Sequence, residues 1–186
     1  FHKLTMHKSD LPATHWEPTT LNALGKSEEY LESVLAESPD LMNLESRRTG
    51  IYGPFRVYRQ LALPTPNGRT IFPDIVLLTG SGHTVIVEVK LSVNQELRNR
   101  AVIAQIVDYA ASFAALSEEE LLTIFDTESK AETWEDLIVS LFPNDSRPSE
   151  LASVSMDRIL SGTLNLVIAC DTLPTGMMEV VRGITS

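Results

Sequence analysis

The sequence predicts an α/β fold built on a mixed central sheet. Three observations carry that reading. An amphipathic helical segment precedes three strand-like apolar segments, a long helical period follows them, and a short apolar run returns after an acidic helical stretch. The 186 residues suit a single domain, 1–186, with room for a buried core. With 43% hydrophobic and 22% charged residues the composition is that of an ordinary globular chain. No apolar run nears the ~20 residues of a membrane helix. The first residue is Phe, so a trimmed or processed start, and a larger parent protein, stay open. No signal-peptide pattern stands at the start, since "FHKLTMHKSD" is polar and basic.

Taken in order, residues 1–20 hold Pro12 and Pro18, show no period, and read as an N-terminal arm. "KSEEYLESVLAESPDLM" puts Leu31, Val34 and Leu35 on one helical face. Ser27 is its candidate N-cap, acids crowd its first turn, and Ser38-Pro39 ends it. "FRVYRQLAL" (55–63) alternates as a strand, and "PTPNGRT" is a turn by composition. "IFPDIVLL" and "HTVIVEVKL" are the next two strands, joined by "TGSGH" as a hairpin. "NQELRNRAVIAQIVDYAASFAAL" is a helix of about 20 residues. Residues 117–163 read as an acidic helical insertion broken at "FPNDSRPS". "LNLVIACD" (164–171) is a short buried strand, and "PTGMMEVVRG" opens a terminal helix in which Met177 and Met178 pack.

Charge is segregated along the chain. Residues 1–46 carry 3 basic and 8 acidic residues, residues 47–100 carry 8 and 3, and residues 101–186 carry 4 and 14. The overall −10 speaks against a general affinity for nucleic acid, while the basic middle segment would offer a polyanion a local site. The alternative is chance segregation of surface charge. Cys170 is the only cysteine, which precludes an internal disulfide and fits a reducing compartment, the cytoplasm. In its apolar run it reads as a buried thiol, not a nucleophile. Trp16 and Trp134 read as core or contact aromatics.

The hairpin carries the chemistry. Glu88 and Lys90 are two apart in a strand and share a face, with Val87 and Val89 on the other. A Gly80–Gly82 loop with Thr79 opposite His83 places Asp74 opposite Glu88. Two facing carboxylates repel by up to about 1 kcal/mol, so something must neutralise them. Lys90 can do part of that. Mg²⁺, or Mn²⁺ in its place, does it better through hard oxygen ligands, with the Val89 carbonyl as a third. The competing reading is a salt bridge on a solvated face.

Two helices add candidates. Glu28 and Glu32 are one turn apart, Glu28 within about 20° of Leu35 on the helical wheel, so either would aim a carboxylate at the sheet. Each also reads as an ordinary solvated glutamate. In the second helix Arg98, Gln105 and Tyr109 share a stripe beside Val102, Ile106, Ala110 and Phe113, and mark the border of helix and sheet. His2, His7, His15 and His83 show no metal-ligand spacing. There is no G-x-S-x-G, phosphate loop or dinucleotide fingerprint.

Together, "PD" at 73–74, "EVK" at 88–90, a glutamate-bearing helix upstream and "QIVDY" at 105–109 resemble the PD-(D/E)XK nuclease superfamily. The last element is similar to the Q-x-x-x-Y signature of its RecB-type branch. The match covers residues 27–116 and 164–171, about half of the chain. The resemblance implies a restriction-endonuclease-like αβββαβ core with a mixed central sheet, the helical insertion lying outside it. It implies a Mg²⁺-dependent endonuclease acting on DNA rather than RNA. Asp74, Glu88 and Lys90 would be catalytic, and Asp74, Glu88 and Val89, with Glu28 or Glu32, would hold the metal. Lys90 would orient water and stabilise developing charge, Gln105 and Tyr109 would support the site, and Arg98, Arg100, Arg56 and Arg59 would bind flanking phosphates. A homodimer is compatible with this, since many members pair to cut both strands. The alternatives are a catalytically inactive nuclease-like domain that binds nucleic acid or a protein, and an interaction domain with an incidental salt bridge.

Overall fold

The computed structural model describes residues 19–45, 49–98, 101–126 and 130–173, with only the backbone of Arg98. Most of the expected arm, Trp16, Arg100, and the terminal helix with Met177 and Met178 lie outside the described residues. Helix α1 runs Glu28–Glu37. Ser27 caps it as expected, its Oγ accepting the Tyr30 N–H at 3.2 Å, and Pro39 opens a short 3₁₀ turn beyond its end.

Four strands form the main sheet: β1 (Phe55–Arg59), β4 (Ile75–Thr79), β5 (Thr84–Lys90) and β6 (Asn165–Cys170). Their order is β1-β4-β5-β6, the first two pairings antiparallel and the last parallel, so the sheet is mixed. A two-stranded hairpin, β2 (Leu63–Pro64) and β3 (Thr70–Ile71), sits between β1 and β4. The strand expected over 55–63 is therefore shorter. It ends at Arg59 because Gln60 takes a left-handed φ of 48° and turns the chain away. The strand expected from residue 71 likewise divides, since Pro73 has no N–H for a ladder.

The β4–β5 hairpin has the expected register: Ile75 faces Val87, and the Thr79 N–H bonds the His83 carbonyl at 3.1 Å. Two glycines make it feasible. Gly82 adopts φ 74°, and a Cβ on Gly80 would stand 2.6 Å from Pro54 Cδ. All seven residues of β5 are buried.

Both sheet faces are covered. Ile75, Leu77, Val85, Val87 and Val89 pack against Leu31 and Leu35 of α1. On the other face Val76, Leu78 and Ile86 meet α3 (Ala101–Ala114), which comes after α2 (Gln95–Arg98), through Ile106, Tyr109 and Phe113. Helices α4 (Glu118–Phe125), α5 (Trp134–Leu141) and α6 (Pro148–Leu160) join that same core. They contribute Leu121, Phe125, Trp134, Leu137, Ile138 and Ile159. The region expected as an acidic helical insertion thus packs into the same core as the sheet. Trp134 is buried, as expected, with its indole N–H on Ser155 Oγ at 2.9 Å. No described helix is long and apolar enough to cross a membrane.

Candidate functional site

The three charges of the hairpin gather at one end of the sheet. Glu88 and Lys90 share the α3 face of β5, and Lys90 Nζ lies 2.7 Å from Glu88 Oε1. Glu88 is 1% and Lys90 8% exposed, so the reading of a salt bridge on a solvated face is overturned. A second acid, Glu96 of α2, reaches Lys90 at 3.3 Å from the solvent side. The other oxygen of Glu88, Oε2, is buried and meets no hydrogen-bond donor among the described residues. An orphaned buried oxygen of this kind costs about 1–3 kcal/mol unless a proton or a cation reaches it.

Asp74 stands one residue before β4, where the hairpin register puts it level with Glu88. Its carboxylate also bonds along the sheet: Oδ2 accepts the Val89 N–H at 2.8 Å. Pro73 explains why that donor is available and why the neighbouring acceptor is left over. Continued for one more pair, the ladder would set Pro73 opposite Val89, and proline offers Val89's carbonyl no N–H. Within a strand a residue's N–H and C=O leave on the same side, so the Val89 carbonyl points to the Asp74 side of β5. Asp74 and Glu88 are near enough for the Asp74 charge to act on the Glu88 carboxyl.

The electrostatics follow from burial. Desolvation raises Asp74 above the ordinary aspartate range, although the Val89 N–H, Gln60 and Lys90 oppose it. Burial raises Glu88 as well, the Lys90 hydrogen bond lowers it, and the Asp74 charge raises it further. Burial tends to lower Lys90, but Glu88, with Asp74 and Glu28 behind it, outweighs that and holds the ammonium above the usual lysine value. Lys90 is thus a cation at neutral pH, not a base.

The first-helix glutamates both reach the site region, and both are engaged. Glu28 Oε1 accepts the Leu91 N–H and the Asn94 side-chain amide, each at 2.8 Å. Glu32 is buried, with Oε1 on Arg59 Nε at 2.9 Å and Oε2 on Gln60 Nε2 at 3.3 Å. On α3, Gln105 and Tyr109 meet as their spacing predicts, Nε2 donating to the hydroxyl at 2.7 Å. Tyr109 in turn donates to the Phe72 carbonyl at 3.2 Å, two residues before Asp74. The same hydroxyl lies near Glu88, and a hydrogen bond between the two side chains lowers the Glu88 carboxyl. Burial first, then the nearby Glu88 charge, raises the Tyr109 phenol above its usual value.

The arginines divide. Arg59 belongs to the site's edge through Glu32. Arg56 does not: it pairs with Leu78 toward the far end of β4, donates to the Leu141 carbonyl and lies over the Phe142 ring. It was expected to bind a flanking phosphate, and its guanidinium is turned to α5. Of Arg98 only the backbone, at the end of α2, is described. Cys170 is half-buried, and burial with the Asp171 charge pushes its thiol up to about 11, which leaves it inert at neutral pH. A groove of about 640 Å³ between the end of α1 and β1, lined by Glu37, Asp40 and Phe55 among others, is separate from this cluster.

Sequence reasoning missed Gln60, Asn94 and Glu96. No motif marks them, and only the left-handed turn at Gln60 and the helix start at Gln95 bring them in. Among the described residues no three His, Cys, Asp or Glu side chains form a ready-made metal cage. The candidate ligand set is two carboxylates and a backbone carbonyl, which suits a hard ion that keeps several waters. The buried Oε2 of Glu88 is the ligand position that such an ion would satisfy. Compared with protein-family models, curated proteins and solved structures, the chain has no significant match in any of the three.

Proposed function

We propose that the protein is a metal-dependent nuclease that hydrolyses phosphodiester bonds, in DNA before RNA. The observation that carries this is the buried Glu88–Lys90 pair beside Asp74, with Glu88 Oε2 buried and outside hydrogen-bond distance of any described donor. The reading extends to the fold. One helix, an antiparallel β1–β4–β5 unit, a second helix and a strand parallel to β5 are the parts of a restriction-endonuclease-like core.

Asp74, Glu88 and the Val89 carbonyl would hold Mg²⁺, or Mn²⁺ in its place. When bound, the ion supplies charge for the phosphoryl oxygen and lowers the pKa of a water. Lys90 stays protonated, so it orients the attacking water and offsets the negative charge that builds on the phosphate. Asp74, fixed through both oxygens, keeps its place as charge develops. Tyr109 anchors the Phe72–Asp74 segment through the Phe72 carbonyl. Arg59, 44% exposed at the site's edge, would meet a neighbouring phosphate. The partner is nucleic acid, a homodimer would cut both strands, and a single unpaired cysteine suits the cytoplasm.

The test is incubation of plasmid, single-stranded and branched DNA with Mg²⁺ or Mn²⁺. Cleavage is expected with metal and is lost with EDTA, in Asp74→Ala and in Lys90→Ala. Metal uptake without cleavage of any substrate would leave the inactive binding domain. No uptake at all would remove the ligand reading.

A further inference from the structure

We infer that Gln60 is a positioning residue for Asp74, and that Glu32 acts through Gln60 instead of serving as a metal ligand of its own. This rests on the reading of Asp74 and Glu88 as ligands.

Gln60 is held from both sides. Its left-handed backbone turns the chain out of β1, yet its N–H still bonds the Asp74 carbonyl at 3.1 Å. That places its side chain beside the Asp74 carboxylate, and Nε2 lies 3.1 Å from Oδ1. The same nitrogen is 3.3 Å from Glu32 Oε2. A carboxamide nitrogen carries two hydrogens, one for each acid. The amide is therefore a bridge that α1 holds at one end and Asp74 at the other.

Glu32 is in turn oriented by Arg59, so its two oxygens face donors already in place. Asp74 is gripped at Oδ2 by Val89 and at Oδ1 by Gln60, and rotation of its carboxylate is arrested at both atoms. A ligand carboxylate has to be held within about 0.5 Å of its working position, and outer hydrogen bonds of this kind supply that. Removing such a partner commonly lowers metal affinity by about 10–100-fold.

Calorimetric titration with Mn²⁺ on the whole chain tests this, using wild type, Gln60→Ala, Gln60→Gly, Glu32→Ala and the Gln60→Ala/Glu32→Ala double variant. Thermal unfolding is recorded beside each. Glycine tolerates the positive φ, so it removes the amide without backbone strain. Both Gln60 variants are expected to bind Mn²⁺ about tenfold more weakly while still unfolding in one cooperative transition. Glu32→Ala should weaken binding by no more than that, and should cost less than twofold when added to Gln60→Ala. Wild-type affinity in both Gln60 variants would overturn the inference. So would a further tenfold loss from Glu32→Ala on the Gln60→Ala background, which would make Glu32 a ligand. Loss of fold in both Gln60 variants would make Gln60 structural and overturn it too. Failure of the wild type to take up Mn²⁺ is a different result, and removes the underlying ligand reading.

Discussion

Lys90 Nζ stands 2.7 Å from Glu88 Oε1 inside a strand with no exposed residue. Two ions that could have been Val or Ile are kept there, at the end of a central strand in a sheet covered on both faces. Removing ions from water costs several kcal/mol each, so burial of this kind is poor stabilisation and better preparation for binding charge.

The two members are not independent. Lys90→Met leaves Glu88 buried without its partner, and should destabilise the fold by about 3–5 kcal/mol in urea unfolding. Lys90→Met with Glu88→Gln removes both charges and should cost clearly less. Equal costs for the single and double variants would mean that the pair is not coupled.

The pH dependence of stability has a defined sign. Burial holds Asp74 and Glu88 above their ordinary values, with the Glu32 charge adding to it at Asp74 and the Asp74 charge at Glu88. Between the unfolded and folded values the folded chain binds more protons, so these groups make stability fall as pH rises through that window. Lys90 is raised as well, so its contribution is fully present below the ordinary lysine value and disappears only as pH climbs through the folded one. The difference in urea midpoint between wild type and Glu88→Gln should therefore move against wild type from pH 4 to neutrality. Mn²⁺ should reverse it, since the ion binds the ionised form. A movement in favour of wild type without metal would show that Lys90 outweighs burial at Glu88.

What the sequence made legible was local. Ser27 is an N-cap by residue type, and the alternation in β5 fixes the faces of Glu88 and Lys90. The three-residue glycine loop sets the register of Asp74. The hydrogen bond of Asp74 to Val89 was not legible, because it depends on Pro73 ending the ladder one residue early. Gln60 was hidden because a left-handed glutamine has no pattern around it. Strand position alone likewise does not reveal that α5 ends beside Arg56, with the Leu141 carbonyl accepting its Nε–H.

Helices α4–α6 also looked external by sequence, and their packing makes a firm prediction. Phe125 is 1% exposed and touches three aromatic rings, those of Tyr58, Phe113 and Trp134, at 5.0, 6.0 and 5.7 Å between centroids. Phe125→Ala should lower stability by about 3–5 kcal/mol in a single cooperative urea transition. A loss under about 1 kcal/mol, or a separate early transition, would return these helices to the status of an appendage.

Tyr109 separates support of the site from support of the fold. Its ring is buried in the core with Ile106 and Phe113, and only its hydroxyl addresses the site, between Gln105 and the Phe72 carbonyl. Tyr109→Phe keeps the ring and deletes the hydroxyl, so the cost in stability should be about 1 kcal/mol. The effect on cleavage should be larger, because the Phe72–Asp74 segment loses its anchor and a small displacement of a reacting group can cost about 100-fold in rate. The expected pattern is kcat lowered tenfold or more with KM for DNA within twofold. Unchanged kcat alongside the same loss of stability would assign the Gln105–Tyr109 pair to the fold alone.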